Sequence, residues 1–300
     1  MNLSKKCPKH RLLVYGVLNE VDFQMAKCCA EDLFNKSPDL FKKPHIEPML
    51  EFEWSEFIEK KIKELKGELW SFNNKTLIFL GDDALGGPKE LITWAESVDC
   101  YENYRPMSLY EVLANEAYKS HVASKNHTFV YMDFTIDESP IGRIIIELYD
   151  DIVPDTCRNF RMLCTGELGS AKGSEVRLHY KRSIIHRVVP GGWIQGGDIK
   201  ALKGNDGISI YGDVFSDENF IVKHDKRGVV GMANKGPHTN ASQFYITLQP
   251  ATWMDTKYVA FGQVVDGSST LKIIEKQATQ NDRPTKEILI TNVGRCPLDS

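Results

Sequence analysis

The chain has 300 residues, with 37 Lys and Arg against 41 Asp and Glu, a formal net charge of −4 and 42% hydrophobic residues. This composition is typical of a globular protein, and the length predicts two domains, each large enough to bury its own core. The slightly acidic balance argues against a nucleic-acid-binding protein, because neutralising phosphates requires a basic face. Without a run of about 18 apolar residues, no membrane span is expected.

Cysteine usage and the N-terminus indicate the compartment. The seven cysteines are odd in number and contain no Cys-x-x-Cys pair, a pattern typical of a reducing environment. The N-terminus is polar and basic and leads only into a short apolar run at residues 12–18, which is too short for a signal peptide. We therefore expect a soluble, cytoplasmic protein.

The first hundred residues alternate between strand-like and helical patterns. Residues 11–17 are an apolar, strand-like run. The spacing of Phe23, Ala26, Ala30 and Leu33 then puts these four side chains on one helix face. After three prolines, residues 55–70 repeat apolar side chains at helical intervals among Lys and Glu, which predicts an amphipathic helix. The remaining predicted elements are a strand at 76–80, a turn at 81–88 and a helix at 89–98.

The strand, turn and helix at 76–98 resemble the C-terminal part of a glutaredoxin. The opening strand and helix suit the thioredoxin-like fold. The resemblance implies a Cys-x-x-Cys at the start of the first helix, where the helix dipole stabilises a reactive thiolate. Residues 19–24 (NEVDFQ) contain no thiol, and residues 73–75 (NNK) stand where that family has a cis-proline. We therefore predict residues 1–100 to be a degenerate glutaredoxin-like domain that docks or binds without redox chemistry.

A connecting stretch follows this domain. Residues 101–126 include a helical pattern at 109–118 and then a polar run. Polar runs between patterned segments are typical of connections between domains. We predict a linker with a short helix and place the domain boundary near Asn126.

The second half contains many short strands with glycine-rich turns. Residues 129–136 and 142–149 flank a tight turn and predict a hairpin. Pro154 begins a helix, since proline is tolerated in a first helical turn, and residues 269–276 predict a second helix. Further strands are predicted at 183–189, 193–195, 229–233, 244–248, 259–265 and 287–293. This pattern favours a closed antiparallel barrel, which leaves no exposed sheet edge.

Several blocks in this half resemble the cyclophilin family in the same order. They are IHRVVPG at 185–191, QGGD at 195–198, SIYG at 209–212, DENF at 217–220, GMAN at 231–234, SQFYIT at 242–247 and VAFG at 259–262. The resemblance implies a cyclophilin-type closed antiparallel eight-stranded β-barrel with two helices over residues 127–298. Residues 175–180 (EVRLHY) also resemble the extra loop of divergent-loop cyclophilins.

Cyclophilins catalyse rotation about the peptide bond that precedes proline, which has a barrier of about 18–20 kcal/mol. No bond breaks, so the reaction needs no nucleophile, metal or other cofactor. A guanidinium that donates to the prolyl nitrogen stabilises the twisted state. The resemblance places Arg187 in this catalytic role and Gln195 as the second catalytic group, which bonds the substrate and positions the arginine. An isolated Arg and Gln would instead be ordinary surface residues of a strand.

The resemblance also assigns a proline-binding cleft, and here the sequence departs from the family. The cleft positions are Trp193, Ala233, Asn234, Gln243, Phe244, Tyr245, Trp253, Met254 and Tyr258. Trp253 is retained and implies an indole donor to a substrate or cyclosporin carbonyl. Trp193 replaces a Met, Tyr245 a Phe and Tyr258 a His. Gly192 is the degenerate position, where a Phe normally forms one wall, and such a ring buries about 150–250 Å².

Losing that wall weakens binding of the twisted state, so the rate falls about tenfold for each 1.4 kcal/mol lost. We therefore expect a cyclophilin-like protein that binds Xaa-Pro segments, with weak or lost isomerase activity, and that serves as an interaction module. The alternative is a fully active peptidyl-prolyl cis-trans isomerase that assists folding. Because some cyclophilins occur in ciliary radial spokes, the resemblance implies axonemal partners and the cytoskeleton of motile cilia as a location.

Overall fold

The structure is a computed structural model that describes residues 9–69, 71–99, 101–125 and 127–296. The chain forms two compact units, Met1–Ser124 and Lys125–Ser300. Asn126, the predicted boundary, lies outside the described residues. Among the helices of the described segments, none combines the length and hydropathy that crossing a bilayer requires.

The first unit is an α/β structure around a mixed sheet. Its elements are β1 (Leu12–Val17), α1 (Val21–Lys36), β2 (His45–Met49), α2 (Glu51–Leu65), β3 (Thr76–Leu80), β4 (Asp83–Gly86), α3 (Pro88–Asp99) and α4 (Met107–Ser124). The strand order is β2-β1-β3-β4, in which β1 pairs with β2 in parallel and the other pairs are antiparallel. Phe23, Ala26, Ala30 and Leu33 are all buried, which confirms the predicted inner face of α1.

Two strands of this sheet were missed in the sequence. β2 includes Pro48, and proline is tolerated there because β2 is an edge strand. β4 occupies residues 83–86, where a turn was predicted, and pairs with β3 through a register shift. The mixed sheet with its helices is the α/β arrangement that was expected, whereas the thioredoxin-like assignment stays a prediction.

The predicted linker is instead part of the first unit. α4 is 18 residues long, and it buries Tyr110, Ala114 and Val122. It packs against α1. Just before it, Arg105 forms two hydrogen bonds to Asp32 of α1. Residues 101–124 therefore fold onto the first unit rather than spanning freely between domains.

The second unit is the barrel predicted from the sequence. Its strands are β5 (Thr128–Ile136), β6 (Ser139–Leu148), β7 (Ile185–Val189), β8 (Trp193–Gly196), β9 (Val229–Met232), β10 (Phe244–Thr247), β11 (Ala260–Asp266) and β14 (Ile288–Arg295), with the small hairpin β12 (Thr279–Gln280) and β13 (Arg283–Pro284). Its two α-helices are α5 (Pro154–Thr165) and α6 (Ser268–Glu275).

The eight strands pair antiparallel in the order β14-β5-β6-β11-β9-β10-β8-β7. A bridge between Ile184 and Leu289 joins the β7 end of the sheet to β14. The N–H of Ile290 also donates to the carbonyl of Ser183 at 2.9 Å. The sheet is thus nearly closed on itself, and its interior is filled by rings such as Phe160 and Phe261.

Candidate active site

The hairpin of β7 and β8 brings the two predicted catalytic residues together. Arg187 on β7 and Gln195 on β8 are direct partners in the antiparallel register, so their side chains lie on the same face of the sheet. The spacing of eight residues therefore reflects their positions across a tight hairpin. The Arg187 side chain is 43% exposed, which leaves its guanidinium accessible to a ligand.

The guanidinium of Arg187 lies between an acid and an aromatic ring. Its Nε and Nη2 donate to Oδ2 of Asp282 at 3.3 and 3.0 Å. Its Cζ lies 5.0 Å from the centroid of the Trp193 ring, which is a cation–π distance. Asp282 was not identified in the sequence. The only local signal was the Asn-Asp pair between two short strands, which predicts a turn and no contact with Arg187.

The side chain of Gln195 forms hydrogen bonds with residues other than Arg187. Its Nε2 donates to Oε1 of Gln243 at 2.8 Å, and its Oε1 accepts a long bond of 3.4 Å from the indole of Trp193. Gln243 in turn donates to the carbonyl of Asp206 at 2.7 Å. Within the described part of the chain, Arg187 and Gln195 share no hydrogen bond. The expected positioning of the arginine by the glutamine therefore has no direct bond to support it and stays a prediction.

The polar side of the cleft is an open cavity of about 480 Å³. Four of the predicted residues line it: Gln195, Ala233, Asn234 and Gln243. Asp206 and Asp213 line the same cavity, and Asp206 pairs with Lys200 at 3.0 Å. This side therefore presents amide, carboxylate and lysine side chains around an open cavity.

The apolar side of the cleft is filled by its own side chains. Tyr245 is only 2% exposed, and Trp193, Ala233 and Tyr258 pack against the cluster that it forms with other buried residues. The rings of Tyr245 and Tyr258 meet edge to face, with centroids 5.8 Å apart. Tyr245 therefore presents almost no surface on which a proline ring could lie.

The hydroxyl of Tyr245 belongs to a buried series of hydrogen-bonded side chains. Its hydroxyl lies 2.6 Å from Nε2 of His224, and Nδ1 of His224 lies 2.8 Å from Oδ1 of Asp255. Burial lowers the pKa of His224, although Asp255 opposes this effect, and burial keeps the pKa of Tyr245 well above its usual range. A neutral imidazole that donates to Asp255 through Nδ1 accepts a hydrogen bond from the Tyr245 hydroxyl at Nε2. Gly231, opposite Tyr245 in the register, leaves room for the hydroxyl.

Sequence reasoning missed His224 and Asp255, because neither residue lies in one of the family-like blocks and His224 is one of eight histidines spread along the chain. It also placed two residues in the cleft that lie beneath it. Phe244 is fully buried and packs on Phe160 and Tyr180 in the barrel interior, since alternate residues of β10 face opposite sides. Met254 is 3% exposed and supports the cluster from within.

Trp253 and Gly192 complete the rim of the cleft. Trp253 is 54% exposed, and its ring centroid lies 5.8 Å from that of Trp193. Gly192 lies in the turn between β7 and β8, where its carbonyl accepts from the N–H of Leu248 at 2.8 Å. Having no side chain, it provides no wall. The site thus combines an open polar cavity with an apolar side that has no side chain at Gly192 and is occupied by Trp193, Tyr245 and Tyr258.

The chain is similar to known proteins over most of its length. The family "Cyclophilin type peptidyl-prolyl cis-trans isomerase/CLD" matches residues 131–295. The chain is 47% identical over 281 residues to a Homo sapiens protein, covering 94% of this chain and 90% of the relative. It is 50% identical over 288 residues to a Mus musculus protein (96% and 91%) and 45% identical over 295 residues to a Bos taurus protein (98% and 96%). All three relatives bear the name "Probable inactive peptidyl-prolyl cis-trans isomerase-like 6".

Proposed function

Because the chain belongs to the cyclophilin-type peptidyl-prolyl cis-trans isomerase family, we propose that it binds Xaa-Pro segments with weak or lost isomerase activity and serves as an interaction module. One observation carries this proposal. The side chain that should form the floor of the proline pocket, Tyr245, is buried beneath Trp193 and Tyr258, while Gly192 provides no wall.

Binding and turnover make different demands on this cleft. A peptide can lie along the cavity beside Gln195 and Asn234 and accept a hydrogen bond from the exposed indole of Trp253. Acceleration requires in addition that the twisted proline be held more tightly than the planar one. Without a pocket that encloses the ring, that difference is small. The names of the three mammalian relatives carry the same expectation of inactivity.

Full isomerase activity is the second candidate. It is favoured by the adjacency of Arg187 and Gln195 across the β7–β8 hairpin and by the exposed Trp253. Under this alternative, Trp193 and Tyr258 would move aside when substrate enters. Cyclosporin binding separates the two candidates poorly, because a cleft that keeps Trp253 can bind the drug without turning over a peptide.

The deciding experiment is NMR exchange spectroscopy on a short peptide with one Ala-Pro bond, using the full chain and its Arg187→Ala variant. The matched control is Arg158→Ala, which removes an exposed arginine of α5. We expect peptide resonances to shift on binding, with little gain in the cis–trans exchange rate. A large gain that is lost in Arg187→Ala and kept in Arg158→Ala would establish the active enzyme instead.

The ciliary part of the proposal concerns partners and location. It is supported by the family resemblance, which implies radial-spoke proteins carrying proline-containing segments as partners. The test is the distribution of the full, tagged chain in ciliated cells. Enrichment along the axoneme is expected. A diffuse cytoplasmic signal with no ciliary enrichment would contradict this location.

A further inference from the structure

We propose that Asp282 is a positioning residue that restrains Arg187 and withholds part of its guanidinium from a bound Xaa-Pro segment. This inference rests on the proposed function, because it explains part of the weak activity at the same site. Both bonds that Arg187 makes to Asp282 end on one carboxylate oxygen, Oδ2. Nε and Nη2 are therefore both occupied before any substrate arrives.

A two-residue turn places the carboxylate of Asp282 beside Arg187. Asn281 and Asp282 form the two-residue loop between β12 and β13, with φ values of 51° and 62°. Two consecutive positive φ values define a type I′ turn, in which glycine is preferred at the second position. An Asp at that position is strained relative to glycine. Aspartate is among the residues that tolerate this conformation, and the carboxylate of Asp282 contacts Arg187.

The hairpin that carries Asp282 is fixed to the barrel. The N–H of Val188, next to Arg187, donates to the carbonyl of Asp282 at 2.7 Å. Arg283, the following residue, donates through Nη1 to the carbonyl of Lys203 at 2.9 Å. Both contacts fix the turn and so keep Asp282 beside Arg187. Arg187 must break its bonds to Asp282 in order to move.

The carboxylate opposes catalysis in two ways. It partly neutralises the charge that would attract the prolyl nitrogen, and it competes for the same N–H groups in the twisted state. Gln195 does not compensate, since it bonds to Gln243. The Arg187 and Asp282 side chains are 43% and 41% exposed, so solvent screens their attraction and the effect is modest. We expect release of Arg187 to change affinity or rate by about two- to fivefold.

The test uses Asp282→Asn, which removes the charge, and Asp282→Gly, which also restores the preferred turn residue. In the full chain, both variants should shift the Nε–Hε NMR resonance of Arg187, because its acceptor is lost or neutralised. Both should bind the Ala-Pro peptide more tightly than wild type by about two- to fivefold. Adding Arg187→Ala to either variant should abolish the gain. Glu138→Gly is the matched control, since Glu138 has φ 67° at the same position of the β5–β6 turn.

Unchanged or weaker peptide binding by both Asp282 variants would overturn the proposal, as would a gain that persists in the Arg187→Ala background. The proposed function fails on a different result, namely strong acceleration of exchange by the wild-type chain. Because the Asp282 test compares affinities, it gives an answer whether or not the chain turns over peptide.

Discussion

The hydroxyl of Tyr245 and Nε2 of His224 lie 2.6 Å apart beneath the cleft, on the opposite side of β10 from Phe244, where both side chains are shielded from solvent. Asp255 fixes the other side of the imidazole at 2.8 Å. The chain of three groups therefore ties the floor of the cleft to the barrel. A ring held in this way cannot tilt to enlarge the pocket without breaking a buried hydrogen bond. The Tyr at this position thus affects both the stability of the barrel and the shape of its cleft.

Tyr245→Phe should destabilise the barrel by about 1–3 kcal/mol, because it leaves the buried Nε2 of His224 without a donor. The measurement is urea unfolding of the full chain, followed by hydrogen exchange of barrel amides. Tyr211→Phe is the control, since its hydroxyl donates to the carbonyl of Asp155 at an exposed position, and a change below about 0.5 kcal/mol is expected there. Equal losses of unfolding free energy in the two variants would mean that the buried hydrogen bond stabilises the barrel no more than the exposed one does.

Restoring the missing wall alone should not restore activity. In Gly192→Phe, Trp193 and Tyr258 still pack over Tyr245, so we expect the exchange rate of the Ala-Pro peptide to stay within about twofold of wild type. The triple variant Gly192→Phe, Trp193→Met, Tyr258→His opens the floor and adds the wall. It should raise the rate at least about tenfold, equivalent to about 1.4 kcal/mol of added stabilisation of the twisted state.

The control for the triple variant carries Gly192→Ala in place of Gly192→Phe. A Cβ at residue 192 would lie 3.0 Å from Cγ1 of Val189, so both versions require the same small movement of Val189, and only one gains a ring. A rate gain in both versions would assign the defect to Trp193 and Tyr258 rather than to Gly192. A large gain in exchange rate from Gly192→Phe alone would contradict the view that Trp193 and Tyr258 block the cleft.

The barrel was predictable because its strands are short, patterned and bounded by turn residues. The same local signals place Arg187 and Gln195 on one hairpin. Contacts between distant segments were not predictable. Asp282 is 95 residues from Arg187 and lies on a hairpin of four paired residues and a two-residue loop. The contact of His224 with Tyr245 likewise depends on the closed barrel, which no local pattern encodes.

In the first unit, tertiary packing outweighed local pattern. β2 has alternating polar residues and a proline, and it becomes a strand because β1 offers it a parallel partner from Leu13 to Val17. α4 was predicted as a short helix inside a linker, because a polar run follows the helical pattern at 109–118. Its buried face, with Tyr110 and Ala114, becomes evident only once α1 lies beside it.

Acid should destabilise the barrel below about pH 6.5. Burial lowers the pKa values of His179, His186 and His224. The unfolded chain therefore binds more protons than the folded one as the pH falls through the unfolded value of about 6.5, and the free energy of unfolding decreases. The measurement is the urea midpoint of the full chain at pH 7.5 and 5.5, read from barrel amides.

A pair of variants tests the origin of this dependence. His186→Gln should reduce the loss on acidification, because it removes a group that is neutral in the folded state. His127 affects the pH dependence of stability in the opposite direction. Burial lowers its pKa, but its hydrogen bonds to Glu147 and Asp151 outweigh burial and raise it. His127 contributes stability below about pH 6.5 that is lost as the pH rises through its folded value. His127→Gln should therefore steepen the acid loss, and the same shift in both variants would contradict the assignment.

The ion pair between Arg105 and Asp32 should hold α4 in the first unit. The two side chains are 19% and 26% exposed, and Nη2 of Arg105 donates to Oδ1 of Asp32 at 3.0 Å, beside a second bond from Nη1. Asp32→Asn weakens both charge-assisted bonds and should lower the stability of this unit by about 1–2 kcal/mol.

Hydrogen exchange of α4 amides, with and without urea, measures that loss. The matched control is Glu20→Gln, which neutralises a surface pair with Lys75 whose side chains are 34% and 53% exposed, and there we expect a change within about 0.5 kcal/mol. Faster exchange across α4 in Asp32→Asn alone would show that this helix is part of the folded unit. If α4 exchanged at the rate of an unfolded peptide already in the wild-type chain, the linker interpretation would stand and the ion pair would have no structural role.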